Sequence, residues 1–219
     1  MKKLTILHTS FVSVEALNAL CREILPEVEV RNIVDDSLLP EAMAAGEVTP
    51  GIVRRMTAYA QQAQDWGADA LLSQCSSVRF AAEEAAQNVR IPLLPIDRPM
   101  AERAVELGRR IAVVATVAST VNPSVALVEE SAQRAGKTVE VVPVLVDGAL
   151  EILMKHRDQA THNRLVREAA ERVAGEVDVI VLAQGSMIVL LPELAHIPKP
   201  ILTSPRLGIE RLRQVLALD

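Results

Sequence analysis

Short apolar runs alternate with amphipathic stretches along the whole chain. The runs are β-branched and continuous, as strands covered on both faces of a parallel sheet are. They predict strands at 3–9, 28–33, 69–74, 92–96, 110–116, 139–145, 178–183 and 200–203. Between them apolar residues recur at the helical period. Over 13–25, Val14, Leu17, Leu20, Cys21, Ile24 and Leu25 fall on one face. Similar stretches predict helices over about 51–66, 77–89, 98–108, 119–135, 161–174 and 205–217. The segment 34–50, opening with Asp35-Asp36-Ser37, reads as an acidic surface loop or a lid. Such alternation specifies an α/β fold on parallel sheets.

The second half of the pattern repeats the first. Lys3-Leu4-Thr5-Ile6-Leu7-His8-Thr9 matches Arg110-Ile111-Ala112-Val113-Val114-Ala115-Thr116. Asp69-Ala70-Leu71-Leu72-Ser73-Gln74-Cys75 matches Asp178-Val179-Ile180-Val181-Leu182-Ala183-Gln184, and Pro92-Leu93-Leu94 matches Pro200-Ile201-Leu202. Each match alone is weak, because buried strands look alike. Three in order at nearly one offset predict two copies of a four-stranded α/β unit.

Composition narrows the function. A chain of 219 residues, half of them apolar, can bury a substantial core. No apolar run approaches the ~20 residues of a membrane span. Met1-Lys2-Lys3-Leu4 leads directly into a strand pattern, which predicts a cytoplasmic protein. A net charge of −5 with two Phe, one Tyr and one Trp argues against a nucleic-acid partner. Cys21 and Cys75 are the only cysteines, and no Cys/His cluster has zinc-ligand spacing. Neither a glycine-rich dinucleotide loop nor a phosphate-binding loop is written in the chain.

Ligands of open parallel sheets bind beyond the carboxyl ends of the strands. Those ends are small and polar in both halves: Thr9-Ser10 and Cys75-Ser76-Ser77 in the first, Thr116, Ser119-Thr120 and Gly185-Ser186 in the second. Helix amino termini there suit a carboxylate or an enolate. Two facing copies would share one cleft, where the chemistry is expected.

Cys75-Ser76-Ser77-Val78, Asp97-Arg98-Pro99-Met100, Ala183-Gln184-Gly185-Ser186-Met187 and Ser204-Pro205-Arg206-Leu207-Gly208 resemble the aspartate/glutamate/hydantoin racemase superfamily, which also includes arylmalonate decarboxylases and maleate isomerases. The resemblance spans essentially the whole chain. It implies two similar Rossmann-like domains, each with a four-stranded parallel sheet, related by pseudo-twofold symmetry. The last helix would cross back, so the first domain is 1–97 with 205–219 and the second 98–204. It also implies chemistry without a cofactor or metal, on a small carboxylic acid or related carbon acid, with no membrane partner; homo-oligomerisation is left open. Family racemases place one cysteine on each face of the substrate. Cys75 fills the first position, and the internal repeat puts Gln184 at the second.

Cys75 at a strand-to-helix junction is expected to have a lowered thiol pKa, because helix-end N–H groups favour thiolate. It could act as base, acid or nucleophile; the competing reading is a small buried residue. Cys21 reads as core. Gln184 cannot exchange protons, but its amide can hold an oxyanion. Ser76, Ser77 and Ser186 are helix caps or anion ligands. Thr9, Ser10, Thr116, Ser119, Thr120 and Gly185 are substrate-binding candidates, and turn chemistry alone also explains such residues. His8 is a second acid or base, or a satisfied near-core histidine. His162 is a substrate contact or a helix start, and His156 and His196 fall in loops. Arg206 pairs with a substrate carboxylate or forms an interdomain salt bridge. Three functions follow: racemase or isomerase, single-cysteine decarboxylase or lyase, and a non-enzymatic acid-binding protein.

Overall fold

The computed structural model describes residues 1–218. All eight strands are present: β1 (Lys2–His8), β2 (Val28–Val34), β3 (Ala70–Ser73), β4 (Leu93–Pro95), β5 (Arg110–Ala115), β6 (Glu140–Leu145), β7 (Val179–Leu182) and β8 (Ile201–Thr203). They form two parallel four-stranded sheets, ordered β2-β1-β3-β4 and β6-β5-β7-β8. The two orders are the same, as expected of a repeated unit. Register repeats as well: Leu4 lies beside Ala70 in the first sheet, and Ile111 beside Val179 in the second.

By contact the chain divides into two compact units, Met1–Asp97 with the chain from Pro205 onward, and Arg98–Ser204. In the first, α1 (Val14–Ile24) and α9 (Ser204–Val215) cover one face of the sheet. Their Leu17, Cys21, Leu25, Ile209 and Leu212 pack on Leu4, Ile6 and Leu72. The other face, carrying Leu7 and Leu71, is covered by α2 (Leu38–Ala45), α3 (Pro50–Asp65) and α4 (Arg79–Ala86). Successive side chains of a strand point to opposite faces, so β1 carries apolar residues on both, Leu4 and Ile6 toward one layer and Leu7 toward the other. In the second unit, α8 (Gln159–Ala174) brings Val166, Ala170 and Val173 onto Ala112, Val114, Ile180 and Leu182. There α5 (Arg98–Leu107) packs against α6 (Ala118–Arg134), and both touch the sheet. Pro143 stands in edge strand β6, where a missing N–H costs no ladder bond.

The repeat extends to polar detail. Asp69 accepts the Lys3 N–H at 2.8 Å, and its counterpart Asp178 accepts the N–H groups of Arg109 and Arg110 at 2.9 Å. In each unit an aspartate leading into the third strand ties down the start of the first.

Two helices were not predicted. The segment 34–50 is neither a surface loop nor a lid, because α2 runs through it with Leu38 and Ala42 fully buried. Tyr59 and Arg55 bond to Asp35, and Arg55 also bonds to Glu41, fixing that helix to α3. The second unpredicted helix, α7 (Ala149–His156), ends at His156, which is therefore helical.

Candidate active site

The first unit's site is built where β3 releases the chain. Gln74 still donates its backbone N–H to Leu7, so Cys75 is the first residue beyond the ladder. Cys75 is extended, at φ −116° and ψ 119°, and Ser76–Val78 make one tight 3-10 turn into α4. That turn brings the Ser77 N–H and hydroxyl to the Cys75 sulfur, while the Val78 N–H donates to the Cys75 carbonyl at 3.3 Å; the Thr9 hydroxyl reaches the sulfur from the end of β1. Thr9, Cys75 and Ser77 are thus brought together. Ser76 is buried within the same turn.

The expected lowering of the thiol pKa is overturned. Burial pushes the Cys75 thiol up, and this outweighs the neighbouring donors that favour thiolate. Desolvation penalises the charged sulfur, because Cys75 packs against the core beside α3 and α4. Ser76 and Ser77 do not cap α4 through their side chains; its cap position is held by Val78. Ser10 accepts the Val12 N–H at 3.3 Å and so serves its own loop.

The second unit repeats the construction with an amide. Gln184 follows β7 in the same extended conformation, φ −116° and ψ 135°, and leads into a 3-10 turn over Gly185–Leu190. Its Oε1 accepts the Thr116 N–H at 3.1 Å, and its Nε2 makes a long contact of 3.5 Å with the Thr120 hydroxyl. Thr116, Thr120 and Gln184 are therefore together. Gly185 and Ser186 are exposed on the turn, and Ser119 is half-buried at the start of α6. Ser186 does not cap the turn, whose cap position is Gln184.

Other candidates lie elsewhere. Cys21 is core, with burial raising its thiol to about 11. Arg206 pairs with Glu23 at 2.8 Å and lies near Glu210, so its ion pairs are internal to the first unit rather than interdomain. His162 is buried in the first turns of α8, and exposed His196 bonds to Glu171.

Sequence reasoning passed over two groups. Arg79, directly after the cysteine turn, is a buried cation, paired with Glu83 at 2.5 Å and stacked 4.4 Å from the Phe80 ring centre. A polar chain through Gln74, Ser13, His8, Asn32 and Asn18 runs beside the site. Sequence singled out His8 as a second acid or base or a satisfied near-core histidine, and the structure shows the latter; of its partners only Asn32, a carboxamide inside an otherwise strand-like run, gave a sequence signal. Among the described residues, no group of His, Cys, Asp or Glu could hold a metal ion, and no helix is long and apolar enough to cross a membrane.

The same architecture occurs in solved racemases. Glutamate racemase isoform RacE1 from Bacillus anthracis superposes with a TM-score of 0.76 at 16% identity, covering 99% of this chain and 82% of that one. Picrophilus torridus aspartate racemase gives 0.75 at 13%, covering 99% and 95%. Allantoin racemase from Klebsiella pneumoniae gives 0.69 at 17%, covering 100% and 89%. At such identities the likeness is one of fold. No curated protein sequence matches the chain. The family model described as Asp/Glu/Hydantoin racemase matches residues 6–212, and the chain belongs to that family.

Proposed function

We propose that the protein is a cofactor-independent racemase or isomerase of a small carboxylate-type carbon acid, with Cys75 as the proton-transferring group. The observation carrying this reading is the setting of the sulfur: the hydroxyls of Thr9 and Ser77 and the N–H of Ser77 converge on it at a strand end. Three donors around one sulfur stabilise a thiolate formed during turnover, while burial keeps the resting group a thiol. Such a group can take the proton from one face of the carbon. Because Gln184 carries no transferable proton, the proton delivered to the opposite face comes from water, and Cys75 passes its own proton to solvent to complete the cycle.

The rest of the cycle requires an oxyanion to be held while the carbon is deprotonated. Gln184 is suited to that task. Its Oε1 is engaged by Thr116 and one Nε2 hydrogen points to Thr120, which leaves a second Nε2 hydrogen for a substrate oxygen.

The amide at the position matching Cys75 also favours a second reading. A single thiol can protonate an enediolate from one face after carbon dioxide leaves, which is decarboxylase or lyase chemistry. One experiment separates the two. Small amino acids, hydantoins, hydroxy acids and malonates are incubated with the enzyme in deuterium oxide. Exchange at the carbon beside the carboxyl identifies a racemase or isomerase, and loss of carbon dioxide with one-face deuteration identifies a lyase. Exchange that continues unchanged in Cys75→Ala sinks both.

A further inference from the structure

The hydrogen-bond chain beside Cys75 has a defined direction. Asn32 spends its Nδ2 on the Asn18 side-chain oxygen at 3.2 Å and turns its Oδ1 to His8 Nε2 at 2.8 Å. A carbonyl oxygen only accepts, so the His8 proton is on Nε2. In a neutral imidazole the other nitrogen, Nδ1, must then accept, and the Ser13 hydroxyl donates to it across 3.0 Å. With its proton so committed, Ser13 Oγ has lone pairs to receive the Gln74 Nε2–H at 2.8 Å. Burial lowers the His8 pKa and so keeps the ring in this neutral form.

The place of this chain gives it a task. Ser13 ends the loop that leaves β1 and carries Thr9, while Gln74 directly precedes Cys75. The Ser13–Gln74 bond is therefore a cross-link between the two segments whose side chains meet at the sulfur. His8 itself is fully buried with both ring nitrogens engaged, so it cannot touch a substrate.

We propose that His8 is a positioning residue of the Cys75 site: by accepting the Ser13 proton it fixes the oxygen that holds Gln74, and thereby sets the approach of the Thr9 hydroxyl to the Cys75 sulfur. The proposal rests on the reading of Cys75 as the reactive group, but its test does not require a known substrate.

The test is the pH dependence of Cys75 alkylation by iodoacetamide in the whole protein, followed by mass at that cysteine. Thr9→Val removes one donor to the thiolate and raises the midpoint by roughly half to one pH unit. His8→Gln cannot place an acceptor where Nδ1 stands, and Ser13→Ala removes the cross-link; each gives the same upward shift. His8→Asn keeps an acceptor at the Nδ1 position and retains the wild-type midpoint, a rescue that a merely space-filling histidine does not predict. Thr9→Val with Ser13→Ala shifts no further than Thr9→Val alone. Gln74→Ala breaks the link without disturbing the buried ring and stands in for any His8 variant that fails to fold. Wild-type midpoints in Ser13→Ala and Gln74→Ala, or shifts that add to that of Thr9→Val, overturn the proposal. If Cys75→Ala still turns over substrate, the proposed function falls while this titration still decides the role of His8.

Discussion

The backbone N–H of Thr116 donates to the side-chain oxygen of Gln184 at 3.1 Å, and the matching pair in the other unit, Thr9 and Cys75, is also hydrogen-bonded. Two copies of one strand-end construction thus hold different chemistry. One presents a sulfur that titrates, the other an amide that does not. The resulting asymmetry makes Gln184 the residue by which the two proposed reactions can be told apart.

Gln184→Cys is expected to supply a thiol in place of water as the second proton donor and so to speed racemisation. The gain will be modest, since a misplacement of about 1 Å can cost ~100-fold. Gln184→Ala removes an oxyanion donor and should lower kcat by roughly 10²-fold. Chiral analysis of the product and deuterium content at the reacting carbon give the readout. A Gln184→Ala enzyme with wild-type kcat excludes the oxyanion role.

The two cysteines should separate cleanly. Cys75→Ala is expected to abolish turnover and to cost less stability than Cys21→Ala, because the residue keeps some exposure whereas Cys21 is buried. Cys21→Ala should spare turnover and cost about 1 kcal/mol, as truncation in a packed core does. At neutral pH iodoacetamide should modify Cys75 more slowly than a free thiol, since burial raises its pKa. A faster reaction would mean that the surrounding donors outweigh burial.

The strands were legible because a strand buried on both faces is apolar along most of its length, as Ile111–Ala115 of β5 and the whole of β7 are. The helix over Leu38–Ala45 was not legible. It is short, starts after two aspartates and carries Pro40 in its first turn, where proline is tolerated but reads as a break. Cys75 was found because it ends a strand within a motif resembling the family, and Gln184 because the repeat aligned it with Cys75. The direction of the thiol shift was missed for a different reason. Sequence shows the helix that follows a cysteine, whereas the desolvation of its sulfur is set by α3 and α4 packing around it. His8 looked like one polar residue in a strand; only the fold brings Ser13 and Asn32 to its two nitrogens.

Gly208 marks the place where α9 closes on the first sheet. A Cβ there would lie 2.5 Å from the Ile96 side chain and 2.7 Å from the Ile96 carbonyl oxygen. The carbonyl is backbone and cannot swing away. Gly208→Ala should therefore destabilise the protein by about 1–3 kcal/mol through overpacking. Gly136 has open space around an added methyl, with nothing within 4 Å, but a φ of +64°; its alanine variant tests backbone strain instead of space. Equal melting of wild type and Gly208→Ala in denaturant would show that α9 can shift without cost.

His8 gives the acid side of the stability profile a recognisable shape. Burial lowers its pKa from the ordinary 6.5, so in the folded protein the ring resists a proton that the unfolded chain accepts. Unfolding takes up that proton wherever the pH lies between the two values. Stability from this group is therefore complete above about 6.5 and falls as pH drops through that value, levelling only below the folded pKa. The slope is limited to about 1.4 kcal/mol per pH unit for one proton. Asp69 and Asp178 behave in the opposite sense chemically but lose stability in the same direction. Their backbone N–H partners hold them below 3.8, so they contribute above that value and fail only in stronger acid. Two separate losses should appear in urea titrations, one beginning near pH 6.5 and one below pH 4. His8→Asn, which cannot titrate, should erase the first and leave the second. A first loss that survives in His8→Asn would assign it to another group.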